Sequence, residues 1–171
     1  MKHTSFSLLS IMMLCCLPLY AAKVERATAV MHPTKGNVVS GVVKFSEGSD
    51  GLHITAQISG LTPGEHGFHV HQWGDCNCDD AVCAGGHFNP TNQKHGGPDN
   101  AERHVGDFGN LVADANGNAT YDRVDTVASL NGENSIVGRA IIIHAGRDDL
   151  TSQPVGNAGA RVASGVVGIA K

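Results

Sequence analysis

The chain has little from which to build an aromatic core: Phe, Tyr and Trp make up 5% of its 171 residues, with a single Trp. It also lacks a basic excess, having 12 Lys and Arg against 16 Asp and Glu. That mildly acidic balance argues against nucleic acid or an anionic membrane surface as a partner. A third absence is helical periodicity. After Ala22 no apolar pattern repeats every 3.6 residues, so amphipathic helices are not expected. Long apolar runs are missing too: spanning a bilayer takes about twenty unbroken residues, and the run from Leu8 to Tyr20 is interrupted by Pro18. This run follows Lys2 and His3 and ends at Ala21-Ala22, the plan of a cleavable leader. Residues 1–22 therefore read as a secretory signal peptide and 23–171 as one domain. The chain is expected to be exported without stable membrane insertion, to a bacterial periplasm on the brevity of the leader and to the extracellular space otherwise. Cys15 and Cys16 leave with the leader. Cys76, Cys78 and Cys83 remain, an odd number in an oxidising compartment, so one disulfide and one leftover thiol is the simplest arithmetic.

What the mature chain does have is short β-branched runs: Val24 to Met31, Val38 to Phe45, Leu52 to Ile58, Gly67 to Trp73, Asn110 to Ala113, Ala119 to Val124, Ile136 to His144 and Ser164 to Ile169. Between them lies turn chemistry such as Lys35-Gly36-Asn37, Ser49-Asp50-Gly51, Thr62-Pro63-Gly64 and Asn116-Gly117. The reading is all-β, with roughly eight short strands in a sandwich or antiparallel barrel. Two connections are too long for hairpins, Gly74 to Arg103 and Ala145 to Ala163. Loops of that length in a compact domain are usually functional.

Histidine is plentiful, with 10 in the chain. Six of them (His66, His69, His71, His87, His95 and His104) fall between residues 66 and 104. His69 and His71 alternate on a strand and so project from one face, while Phe68 and Val70 point into the core. The first long loop adds His87 and His95, and His104 and Asp107 follow it; Ile141-Ile142-Ile143 delivers His144 at a strand end. His87, His95, His104 and Asp107 make a plausible tetrahedral zinc set of three nitrogens and one carboxylate. His69, His71, His144 and one shared histidine suit Cu(II), which accepts tetragonal nitrogen ligation. Composition alone chooses neither the metals nor the sharing. His32, His53 and His66 read as solvated or hydrogen-bonded histidines.

The stretches GFHVHQWGD (67–75), GGHFNPTNQKHGGPDNAERHVGDFGNLVAD (85–114), GRAIIIHAGRDDL (138–150) and GNAGARVASGVVGIA (156–170) closely resemble the copper/zinc superoxide dismutases. The resemblance covers essentially the whole mature chain. It implies an eight-stranded antiparallel Greek-key β-barrel or sandwich, immunoglobulin-like, with two long functional loops. It implies copper on His69, His71, His87 and His144, and zinc on His87, His95, His104 and Asp107, with His87 as the bridge. By the same resemblance Asp148 accepts hydrogen bonds from His69 and His95, and Arg161 sits beside copper and attracts the anionic substrate. The implied reaction is dismutation of superoxide to dioxygen and hydrogen peroxide, for antioxidant defence, with His87 coupling electron to proton. A homodimer is implied as well.

The chain departs from that pattern in two places. The family's disulfide joins a cysteine of the first long loop to one in the final strand, where this chain has Ser164. A local bridge from Cys83 to Cys76 or Cys78 is the expected replacement, ahead of an intermolecular bridge or a thiolate ligand for Cu(I). The second loop is also short and lacks the family's steering lysine and acidic pair, with Gln153-Pro154-Val155 in that region. Arg147 is the expected compensation.

Overall fold

The computed structural model describes residues 22–171; the signal peptide assigned to 1–22 lies, apart from Ala22, outside the described residues. The chain runs through β1 (Arg26–Pro33), β2 (Ser40–Glu47), β3 (Leu52–Ser59), β4 (Gly64–His71), β5 (Asp107–Ala113), β6 (Ala119–Asp125), β7 (Ala140–His144), β8 (Arg161–Val166) and β9 (Gly168–Ile169). The spatial order is β2-β3-β6-β5-β4-β7-β8-β1-β9, and β1 pairs back to β2, which closes the sheet into a barrel. Past Val167, β9 continues β8 along β1, so the barrel has the eight staves expected from the sequence. β4 follows β3 in the chain but is separated from it by β6 and β5, and β7 likewise leaves β6 to pair with β4, which gives the Greek-key order. Among the described residues there is no α-helix, only one 3-10 turn, Val82–Ala84.

Strand alternation decides what faces the interior. On β3, Leu52, Ile54, Ala56 and Ile58 are buried while the residues between them are not. Phe68 lies in the core, where it meets Tyr121 edge-on with centroids 5.1 Å apart and Phe108 at 5.8 Å. β7, and β4 from His66 onward, are buried on both faces. Phe68, Val70, Ile141 and Ile143 fill the barrel. His69, His71, Ala140, Ile142 and His144 point outward and are buried by the long loops instead.

Several boundaries differ from the sequence reading for local reasons. The run Ile136 to His144 is interrupted by a turn at Val137-Gly138, with Gly138 at φ 77°, and only Ala140–His144 is strand. β5 starts at Asp107, three residues before the apolar pattern, because polar and glycine residues hid its first rungs. β4 ends at His71, so Trp73 lies beyond it, half exposed. β5 and β6 pair only at Ala113 and Ala119, around the turn in which Asp114 accepts N–H bonds from Asn116 and Asn118. The disulfide is the local one: Cys78 is bonded to Cys83, with Cα atoms 5.7 Å apart, and Cys76 is free. Cys76 packs against Ala81, Ala84, Ala140 and Ile142 rather than joining a donor group. Ser164 pairs with His32 in the β1–β8 ladder.

Candidate metal centre

The outward faces of β4 and β7 meet because Phe68 pairs with Ile143 and His69 with Ile142, which places His144 beside the His69–His71 pair. The first loop returns His87 to the same spot through a backbone bridge to His71. His95, farther along that loop, is tied to the second loop by Gln153, whose side-chain oxygen accepts the His95 N–H at 2.9 Å. His104 and Asp107 form the turn into β5, where Asp107 accepts the His104 N–H at 2.8 Å. Two groups of donors result, each with its donor atoms within 4.8 Å of one another: His69, His71, His87 and His144, and His87, His95, His104 and Asp107. His87 belongs to both, and every member is buried.

Hydrogen bonding on the far side of each ring fixes what faces inward. His71 Nδ1 donates to Gly85 O at 2.8 Å, His144 Nδ1 to Gly159 O at 3.0 Å, and His69 Nε2 to Asp148 at 2.8 Å. Each acceptor is an oxygen, so the protons sit on those nitrogens and the opposite nitrogens carry lone pairs. His71 Nε2 and His144 Nε2 then face each other at 3.4 Å. Two buried ring nitrogens face no oxygen at all, His69 Nδ1 and His87 Nε2, while His95 Nδ1 has only Asp107 Oδ1, 3.1 Å away. Such orphans are rare in folded proteins, and a bound cation would account for both. His87 has both nitrogens turned inward, Nδ1 at 2.8 Å from Asp107 Oδ1 and Nε2 unpartnered. The donor sets fit the metals: three imidazoles and a carboxylate suit zinc, and four imidazoles suit copper.

Burial pulls His69 down to about 3 despite its bond to Asp148, and His144 to about 4 despite its bond to Gly159. His71 and His87 are lowered by the same desolvation. These four rings are therefore neutral near pH 7 with lone pairs available. His95 goes the other way: burial would lower it, but bonds to Asp107 and Asp148 raise it to about 9. Both carboxylates are held well below the usual range. Burial alone would raise them, and the bonds from His104, His87 and His95 to Asp107, and from His69, His95 and the Leu150 N–H to Asp148, outweigh it.

Asp148 lies between the groups, with Oδ2 2.8 Å from His69 Nε2 and Oδ1 2.9 Å from His95 Nε2. Arg161 pairs with His144 across β7 and β8, and its guanidinium donates to Ala81 O at 2.5 Å and Gly85 O at 2.6 Å. Arg147 does not stand free as a steering charge, because its Nε donates to Glu65 Oε2 at 2.9 Å. Two supports escaped the sequence reading. Asn110 clamps the Asp148 backbone, donating to its carbonyl at 3.0 Å and accepting its N–H at 2.8 Å. Arg103 is buried, paired with Asp125 at 2.7 Å, and donates to the carbonyls of His104 and Asp107. His66, read from the sequence as solvated or hydrogen-bonded, is the latter: it is buried with its two ring nitrogens against His144 O and Thr62 O. No local pattern marks Asn110 or Arg103, whose side-chain partners in Asp148 and Asp125 lie 38 and 22 residues away; only the buried charge of Arg103 is unusual enough to question.

The family described as copper/zinc superoxide dismutase (SODC) matches residues 39–167. The chain belongs to the copper/zinc superoxide dismutase family. It is 46% identical over 156 residues to a protein of Brugia pahangi named extracellular superoxide dismutase [Cu-Zn], covering 86% of this chain and 77% of that one. It is also 46% identical over 154 residues to superoxide dismutase [Cu-Zn] of Onchocerca volvulus, covering 84% and 97%. Among solved structures, the clock protein EA4 superposes with a TM-score of 0.82 at 40% identity, over 90% of this chain and 100% of that one. Copper and zinc are the metals of the superoxide dismutase family, and the two donor groups suit them in type and number.

Proposed function

We propose that this protein dismutates superoxide to dioxygen and hydrogen peroxide as an exported antioxidant enzyme. In this reading copper is held by His69, His71, His87 and His144, and zinc by His87, His95, His104 and Asp107. The observation that carries it is His87, a buried imidazole common to both donor groups with both nitrogens facing them. Bound copper supplies one-electron redox chemistry, and zinc, which is not redox active, supplies a fixed charge. The chain's residues do the rest. Asp107 fixes His87 through Nδ1, so the proton that His87 can take or give is at Nε2, the nitrogen facing the copper group. Gly85 O, Gly159 O and Asp148 hold the other three rings in one tautomer, which keeps their lone pairs directed. Arg161 sets a positive charge at the edge of the copper group, where its field helps lower His71 and His144. In an acidic protein that local charge draws in a small anion.

The Cys78–Cys83 disulfide and the extracellular relative both support export to an oxidising compartment. The leader's brevity favours a periplasm, but the extracellular space is the destination that the named relative favours, and we adopt it. No helix among the described residues is long and apolar enough to cross a membrane. A homodimer is supported by exposed Val30, Trp73, Val166 and Ile169, apolar side chains on and beside β1, β8 and β9. The test is superoxide consumption by stopped flow, using protein loaded with copper and zinc, against the Arg161→Glu variant. Fast consumption, slowed and altered in salt dependence by the substitution, is expected. Bound metals with no consumption refute the reading.

A further inference from the structure

The chain keeps Arg161 but lacks the long-range staple that would tie the first loop to β8, so something else must fix the loop carbonyls that hold this arginine. Arg161 has two anchors, Ala81 O for Nη1 and Gly85 O for Nη2. They differ in how they are held. Gly85 lies within a small ladder in which Gln72 N donates to Gly86 O at 2.8 Å and Trp73 N to Ala84 O at 2.9 Å, so β4's extension fixes it. Ala81 has no such ladder. It is wholly buried yet left-handed at φ 58°, a conformation uncommon for a residue with a Cβ. Its backbone makes two local bonds, Ala81 N to Cys78 O at 2.9 Å inside the ring that Cys78–Cys83 closes, and Ala84 N to Ala81 O at 3.2 Å across the 3-10 turn just past it.

We propose that the Cys78–Cys83 disulfide is a positioning device for Arg161, acting through the Ala81 carbonyl. This rests on the dismutase reading for its consequence in turnover, but not for its consequence in anion binding. Without the ring, Ala81 relaxes out of the left-handed region and Nη1 loses its acceptor, while Gly85 keeps both Nη2 and His71 Nδ1 in place. The disulfide then governs where the guanidinium sits without touching the copper donors. A crosslink over six residues thus acts on a strand some eighty residues away.

The experiment is a double-mutant cycle on protein loaded with both metals: wild type, Cys78→Ser/Cys83→Ser, Arg161→Ala, and all three substitutions together. Two quantities are read, the second-order rate with superoxide and the affinity for azide followed by the Cu(II) visible band. Removing the disulfide is expected to lower the rate about fivefold with Arg161 present, to weaken azide in parallel, and to change neither when residue 161 is Ala. Copper content stays that of the wild type. Equal losses in both backgrounds, no loss in either, or loss of copper from the disulfide-free protein each overturn the proposal. A second preparation guards against misfolding of the variant: folded wild type reduced with a phosphine, capped with iodoacetamide and then reloaded, which must behave as the double variant does. Wild type that consumes no superoxide sinks the dismutase reading alone, and the azide cycle still decides the role of the disulfide.

Discussion

Replacing Asp148 with Ala removes the carboxylate that lies behind His69 of one donor group and His95 of the other. In the metal-free protein it leaves two buried ring N–H groups, His69 Nε2 and His95 Nε2, without the oxygens that now lie 2.8 and 2.9 Å away. An unsatisfied buried donor costs about 1–3 kcal/mol, so two cost about 2–6 kcal/mol together. Asp148 is completely buried, which puts the loss toward the upper half of that range unless water fills the gap. The loaded protein suffers differently. Once the far nitrogens of His69 and His95 lose their acceptor, either ring can move its proton to the inward nitrogen and cease to be a ligand. Losing such a support lowers metal affinity about 10- to 100-fold, or about 1.4–2.7 kcal/mol. Chelator competition for zinc and copper on Asp148→Ala and wild type, with urea unfolding of the metal-free forms, measures both effects. Unchanged affinity for both metals together with an unchanged unfolding midpoint refutes the view that Asp148 sets the tautomers.

Breaking the disulfide by Cys78→Ser/Cys83→Ser should cost only about 2 kcal/mol in unfolding free energy, because the closed loop is short; a span of roughly 80 residues would cost about 4.5 kcal/mol. A midpoint shift matching the larger figure contradicts the local pairing. The pH dependence of the metal-free protein has a definite sign. His69 and His144, lowered to about 3 and 4, refuse protons that the unfolded chain accepts, so stability falls as pH drops from 6.5 toward 4. His95, raised to about 9, contributes stability that is complete below 6.5 and lost as pH rises through 9. Urea midpoints at pH 4.5, 6.5 and 9.5 should therefore peak at the middle value, and a monotonic series refutes these assignments. Gly156→Ala should weaken zinc binding, because at φ 69° its new Cβ would strike the Asp148 carboxylate and the His95 ring; chelator competition showing wild-type affinity counts against it. Trp73→Glu should convert a dimer to a monomer in sedimentation, and a monomeric wild type removes the dimer altogether.

Strand parity made much of this protein legible. His69 and His71 share a face because alternate residues must, and the Ile141–Ile143 run fixes His144 on the matching outward face of β7. The eight apolar runs became the eight staves, since β-branched residues alternate inward wherever one face is wet. Legibility failed where partners are far apart in the chain. Arg147 looked free, but Glu65 sits opposite it on β4. The Ile136–Val137 run looked like strand, yet the apolar side chains there cap the barrel from a turn. Which of Cys76 and Cys78 would bond Cys83 depended on the 3-10 turn at Val82–Ala84, whose left-handed start at Ala81 has no sequence signature.

The central claim is that one imidazole, His87, serves two metals. Its most direct test is the His87→Ala variant, with copper and zinc stoichiometry and superoxide consumption measured on the same sample. The account predicts weakened binding of both metals and loss of fast consumption, against one copper and one zinc per chain in the wild type. Full retention of both metals with undiminished consumption in His87→Ala would contradict it.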